Sequence, residues 1–211
     1  TKIKSGEQKK KISGSIEFKN VFFKYHNSEK FTINGISFKI EEGDKVGIIG
    51  NIGSGKSTIL NLIARLYDIQ NGNLYIDGVD IKKFDVNALR NNIAYVPQDS
   101  FLFSDTIIEN IKFGNEKSSL KDVYKYSSMA EIHQEIVNFS NGYKTLIGER
   151  GITLSGGQRQ RLSIARALIK KSKIILFDDC FSAIDSNTQK KILENLNHIN
   201  EKKTMIFISH N

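Results

Sequence analysis

A single cysteine, Cys180, among 211 residues leaves nothing from which to build an internal disulfide framework, and it fits a reducing compartment. No apolar run approaches the length that spans a bilayer, and the first residues lack a signal-peptide pattern. The absence of internal repeats and low-complexity tracts argues against a solenoid or an array. Apolar residues make up 39% of the chain, an ordinary share, so wholesale disorder is excluded. The length is enough for one good-sized domain with a sizeable core.

What the chain does have is positive charge. Lysine and arginine number 31 against 23 acidic residues, a net charge of +8, with lysine far ahead of arginine. Such a balance permits an anionic partner, whether nucleotide, nucleic acid or lipid surface, without choosing among them. Residues 1–13, TKIKSGEQKKKIS, are polar and lysine-rich. They read as a basic arm or, as their composition favours, a solvated linker into a domain that begins near Gly14.

Downstream, SIEFKNVFFKY and FTINGISFKI alternate apolar and polar residues around the polar HNSEK, which predicts two antiparallel strands. KVGIIG is a short apolar run breaking into glycines, followed by a helical pattern with apolar Ile59, Leu62, Ile63 and Leu66. NLYIDG adds a strand. From about Phe101 to Lys144 the segments are mixed, polar and helical in type. RLSIARALIKK is an amphipathic helix, and KIILF and TMIFIS are near-continuous apolar strands, as expected where both faces of a sheet are covered. The chain is therefore expected to be α/β, with a small antiparallel portion first and a helical insertion in the middle.

GNIGSGKST, Gly50–Thr58, matches G-x-x-x-x-G-K-[ST] and lies between a strand and a helix, the setting this phosphate loop requires. Glycines 50, 53 and 55 let the backbone curl so that successive N–H groups point at phosphate oxygens, and the following helix presents its positive end to the same anion. The expected nucleotide contacts are Gly50, Asn51, Ile52, Gly53, Ser54, Gly55, Lys56, Ser57 and Thr58. Lys56 would bridge the β- and γ-phosphates and the Ser57 hydroxyl would bind magnesium. IILFDDC, Ile174–Cys180, then runs an apolar strand into two carboxylates. Alone, such a pair is often a loop start or a helix cap. Beside a phosphate loop, Asp178 is the expected magnesium carboxylate.

LSGGQ, Leu154–Gln158, followed by RQR, resembles the signature motif of ATP-binding cassette (ABC) ATPases. The resemblance implies a phosphate-loop NTPase with a RecA-like core, an antiparallel β subdomain and a helical subdomain, using ATP and Mg2+. It also implies a second phosphate cradle from Leu154, Ser155, Gly156, Gly157 and Gln158 that serves ATP held by another subunit, two cassettes docking head to tail around two ATPs. Tyr25 in VFFKY matches the aromatic residue that stacks on adenine. Gln98 in YVPQ matches the Q-loop glutamine that meets magnesium, Ser182, Ala183 and Asp185 in SAID the D-loop of the dimer contact, and His210 in FISH the H-loop histidine at the γ-phosphate. His26, His133 and His198 match nothing and read as structural or solvated. The resemblance runs from about Gly14 to the end, giving a domain over 14–211. Family members continue past the H-loop, so the chain is expected to be a fragment.

GERG, Gly148–Gly151, is similar to the X-loop of exporter-type cassettes, and FSDTIIENI to the exporter region that receives the membrane domain. These imply a motor at the cytoplasmic face of a membrane, joined to a transmembrane domain through residues 1–13. ABC-type heads that act on DNA carry a long coiled coil between phosphate loop and signature. Here no sustained heptads join Lys56 to Ser155, so no nucleic-acid partner is expected. Where most exporters carry a catalytic glutamate, this chain has Asp179, one methylene shorter. With LSGGQ intact, DDCFSAID resembles the degenerate subunit of a heterodimeric exporter, with a slow site of its own. A fully competent homodimeric motor is the alternative.

Overall fold

The computed structural model describes residues 3–148, 152–199 and 201–209. They form two compact units, the first from the described residues within 3–95, 172–178 and 202–209 and the second from those within 96–148, 152–171, 179–199 and 201. In the first lie strands β1 (Ile16–Phe23), β2 (Ile33–Ile40) and β3 (Lys45–Ile49), helix α1 (Lys56–Ile63), strands β4 (Asn71–Ile76) and β5 (Val79–Asp80), helix α2 (Val86–Asn91), and strands β6 (Ile93–Val96), β7 (Ile174–Asp178) and β8 (Thr204–Ser209). Two four-stranded sheets result, in the orders β2-β1-β4-β5 and β3-β8-β7-β6.

The first sheet shows how a sequence pattern survives an irregularity. Ile16 and Phe18 are buried at period two, and so are Val21 and Phe23, but the two pairs are out of phase by one residue. A register shift between Phe18 and Val21, with Asn20 at φ 48°, inserts the extra residue and returns the apolar face to the core. Phe18 stands opposite Phe38 and Leu74 on its two neighbours, and the Phe18 and Phe38 rings stack at 4.5 Å. Burying each such side chain contributes about 1.5–3 kcal/mol.

In the second sheet β8 pairs in parallel with both β3 and β7. All five residues of β7 are buried, as the unbroken apolar run predicts for a strand covered on both faces. Four elements were not legible beforehand, the short β5 and α2 among them. β6 is only four residues long, and the helix α7 (Ser186–Asn197) is mostly polar, burying only Ile192 and Leu196.

Helix α1 is shorter than its apolar pattern. It stops at Ile63, and Leu66, predicted to continue the helix face, lies beyond it and is exposed. The chain turns there because Arg65 adopts φ 49°, with Leu66 N–H donating to Asn61 O at 2.8 Å and Arg65 N–H to Leu62 O at 3.0 Å. Glycine usually holds this left-handed position. Arg65 holds it by burying its side chain completely and donating to Asp68 (2.9 Å), Phe84 O (3.1 Å) and Lys4 O (2.7 Å).

The last of these bonds corrects one expectation. Within residues 1–13, read as a solvated linker, the described part is docked. Gly6 N–H donates to Phe84 O, Gln8 N–H to Lys83 O, and Asp85 N–H to Gln8 O. Ile12 is buried, and the Asp77 carboxylate accepts the backbone N–H groups of Ser13, Gly14 and Ser15. Composition could not show this, because the bonds are main-chain and carry no sequence signature.

The second unit is helical: α3 (Ile107–Lys112), α4 (Leu120–Met129), α5 (His133–Val137), α6 (Gly156–Ile169) and α7, with α3 and α4 packed on α6. Ser119 and Ser155 start α4 and α6 with reciprocal capping boxes, and Thr106 and Asp185 cap α3 and α7. Among the described residues no helix is long and apolar enough to cross a membrane.

Replacing Arg65 with alanine should lower the unfolding free energy by about 3 kcal/mol, since it empties a fully buried site, removes an ion pair and strands the buried Phe84 carbonyl. Urea unfolding would measure it; an unchanged midpoint would show that the left-handed turn stands without the side chain.

Candidate functional site

In the first unit the phosphate loop links β3 to α1. Gly53 and Gly55 have φ 78° and 91°, and a Cβ on Gly55 would fall 2.8 Å from Thr32 O, so backbone angle and space both require glycine there. Lys56 is buried and its Nζ donates to Gly50 O (2.5 Å) and Asn51 O (2.9 Å), folded over the loop it belongs to. Ile52, at the tip, is 86% exposed.

Ser57 Oγ donates to Asp178 Oδ1 at 2.7 Å, and Tyr95 Oη donates to Asp178 Oδ2 at 2.7 Å. Asp178 is 8% exposed, so both oxygens of a buried carboxylate have a donor. Burial, followed by the hydrogen bond to Asp178, pushes the Tyr95 hydroxyl far above its ordinary range, so it stays a donor. Among the described residues no group of three or more His, Cys, Asp or Glu could hold a metal. Mg2+ needs no such cage. It keeps several waters and binds through a carboxylate, a hydroxyl and substrate phosphates, a set that Ser57 and Asp178 fit.

Tyr25 hydrogen-bonds Thr58 Oγ1 at 3.0 Å, and its ring meets Phe23 and Tyr67 edge to face at 5.0 and 5.2 Å. These rings, with Ile3, His26 and Leu66, help to line a cavity of about 280 Å³, below the usual drug-sized range and suited to one flat group.

In the second unit Gln98 Nε2 donates to Asp179 Oδ2 at 3.1 Å, and Asp179 has φ 44°. Leu154 is buried, and Ser155 caps α6, its Oγ accepting from Gln158 N–H at 3.2 Å while Gln158 Oε1 accepts from Ser155 N–H at 2.9 Å. The amides of Gly156 and Gly157 follow Ser155 in the first turn of α6. A Cβ on Gly157 would lie 2.7 Å from Ala183 O, so the SAID segment packs directly on the signature. Gln160 ties it further, donating to Ser182 Oγ (3.1 Å) and accepting from Ala183 N–H (2.9 Å), while Asp185 accepts from Thr188 N–H.

The structure thus gathers Tyr25, Lys56, Ser57, Thr58 and Asp178 in one unit, and joins Gln98 to Asp179 and the signature to SAID in the other. His210 and three residues of the GERG stretch, Glu149–Gly151, lie outside the described residues. His133 is structural, bonded through Nδ1 to Tyr143 Oη at 2.7 Å. Sequence reasoning missed Tyr95, Gln160 and Glu135. The first two sit near motif residues, but nothing in their spacing marks them. Glu135 accepts from Gln158 Nε2 (2.9 Å) and Arg161 Nη1 (2.6 Å), bracing the signature from α5.

The first unit thus carries a phosphate loop backed by a buried carboxylate, and the second a serine-capped glycine helix start. The family model described as "ABC transporter" matches residues 33–182, and the chain belongs to that family. It is an exporter-type ATP-binding domain, an ATPase that uses ATP with Mg2+. It is 42% identical to the iron-sulfur clusters transporter atm1, mitochondrial, of Neurospora crassa over 93% of this chain and 28% of that protein. It is 39% identical to the putative multidrug export ATP-binding/permease protein YgaD of Bacillus subtilis over 94% of this chain and 34% of that protein. A bacterial Atm1-family ABC exporter with ATP bound superposes with a TM-score of 0.89 at 40% identity, covering 94% of this chain and 35% of that one. The chain spans about a third of the length of these relatives. The α/β phosphate-loop fold, with its antiparallel and helical parts, is as expected.

The brace on the signature gives a pH test. Burial pushes the Glu135 carboxyl up, but hydrogen bonds from Arg161 and Gln158 and the Arg161 charge outweigh it, leaving it below its ordinary 4.5. A lowered folded value adds stability above that range and loses it as pH falls through the folded value. Glu135→Gln should therefore unfold more easily than the parent at neutral pH, with the gap closing in acid. Thermal unfolding at several pH values would check this; a gap independent of pH would place the effect in packing.

Proposed function

We propose that this chain is the motor domain of a membrane exporter. In this reading residues 1–13 lead from a transmembrane domain, 14–211 form the cassette, and the domain works at the cytoplasmic face. Two such domains dock head to tail around two ATPs, the second being another copy or a related chain. Residues 50–58 hold the phosphates of this chain's ATP, with Lys56 exchanging its bonds to Gly50 O and Asn51 O for the β- and γ-phosphate oxygens. Tyr25 stacks on the base. Ser57 and Asp178 would hold Mg2+, Gln98 being the expected Q-loop contact, and the ion would supply charge neutralisation on the phosphates. Asp179 orients and deprotonates the attacking water, and His210 contacts the γ-phosphate. Leu154–Gln158 cradle the γ-phosphate of the other subunit's ATP through the Ser155 hydroxyl and the α6 N-terminus. Ser182, Ala183 and Asp185 contribute to the dimer contact.

The observation that carries this reading is the paired engagement of Asp178 by Ser57 and Tyr95 behind a glycine-built phosphate loop. The relatives are named for different cargoes, iron-sulfur clusters in one and multidrug export in the other, at similar identity over this domain. Cargo is therefore set outside it.

The site also reads as slow. An aspartate displaces its carboxylate by about 1 Å from where glutamate would hold it, enough to lower the rate by roughly a hundredfold. With the signature intact, such a chain completes a partner's site in a heterodimer. A competent homodimer is the second reading, supported by the proton-accepting chemistry that aspartate retains.

Steady-state ATP turnover of the protein and of Asp179→Glu, with magnesium at saturating ATP, separates them. A rise of about tenfold or more at similar ATP affinity is the expected result. Equal turnover would remove the heterodimer reading.

A further inference from the structure

We propose that Tyr95 is a positioning residue for the magnesium half of the site, its hydroxyl fixing the Asp178 carboxylate in the orientation that turns Oδ1 toward Ser57. The inference rests on the reading of Ser57 and Asp178 as the magnesium-holding pair. Tyr95 is the third residue of β6, the neighbour of β7 in the sheet order, and Asp178 is the last residue of β7. Adjacent strands thus bring a phenol alongside the carboxylate.

The phenol has one proton and two acceptors in reach, Asp178 Oδ2 at 2.7 Å and Asn61 Oδ1 at 3.2 Å. The shorter, charge-assisted bond takes it. Ser57 donates to the other oxygen, Oδ1, at 2.7 Å. One donor on each oxygen, arriving from different elements, fixes the carboxylate plane about its last torsion, which is otherwise soft. Each oxygen keeps a lone pair for metal-bound water. The ring packs against the buried core of the unit while only its tip reaches the carboxylate. Removing the hydroxyl alone therefore leaves the packing in place and frees the carboxylate to turn. Partners of this kind behind a metal ligand typically govern a 10–100-fold range of metal affinity.

The test is a Mn2+ titration followed by the electron paramagnetic resonance signal of free metal, with a non-hydrolysable ATP analogue bound. It compares the parent, Tyr95→Phe, Asp178→Asn and the double variant. Tyr95→Phe should bind Mn2+ about 10–100-fold more weakly, while analogue affinity in chelator stays unchanged. Because Tyr95 acts through Asp178, the double variant should be no weaker than Asp178→Asn alone. Parent-like Mn2+ affinity in Tyr95→Phe, or additive losses in the double variant, overturns the proposal. Parent-like affinity in Asp178→Asn instead overturns the reading of the metal pair beneath it. Tyr95→His, which retains a ring and an N–H donor, should recover part of the affinity. Should the phenylalanine variant not fold, a histidine variant as weak as Asp178→Asn overturns the proposal by itself.

Discussion

Burying a carboxylate is unfavourable unless donors meet it, and the first unit is arranged so that two do. Asp178 ends a strand with no exposed face, so its charge has little water to lean on. Ser57 reaches it from the first turn of α1 and Tyr95 from β6. The strand, the phosphate loop and the neighbouring strand are therefore held in register by one charged group. That arrangement explains why a loop rich in glycine, with little side-chain packing of its own, keeps a defined form. The end of the loop that enters α1 is fixed by the Gly55 turn against Thr32 and by the Ser57 bond to a rigid strand, and Lys56 ties it back to Gly50 and Asn51 at the other end.

The second unit uses a different means toward a similar end. The start of its α6 is held by side-chain amides. Gln158 closes the capping box on Ser155 and reaches Glu135, while Gln160 clasps Ser182 and Ala183. Neutral amides can donate and accept at once, so they link the signature to its surroundings on several sides. Arg161 and Glu135 carry the one charged pair of this brace, and they lie behind the helix start.

Much of this was legible in the sequence because the chemistry is local. Gly50–Thr58 must be contiguous to curl round a phosphate, and Leu154–Gln158 must be contiguous to open a helix, so each appears as a word. The strands with strong alternation or unbroken apolarity were equally plain. What could not be read depends on groups far apart in the chain: Tyr95 with Asp178, Arg65 with Lys4, and Glu135 with Arg161. The docked N-terminal stretch is the sharpest case, since Lys4, Gly6 and Gln8 bind through main-chain atoms that every residue possesses. α7 was missed because it buries a narrow stripe, leaving a polar sequence that looks like a loop.

Asp179 sits at φ 44°, a left-handed backbone conformation that aspartate and asparagine visit several-fold more often than most side chains. Its short carboxylate suits that backbone, and a longer side chain has less to gain there from local hydrogen bonding. Aspartate at this position therefore relaxes the junction after β7 even as it shortens the reach of the acid. A chain that needs its site chiefly to hold nucleotide can keep the relaxed junction. One that must turn over quickly has to tolerate a more strained one. In the proposed role of Asp179 as the water-activating acid, local folding ease would be traded against catalytic reach.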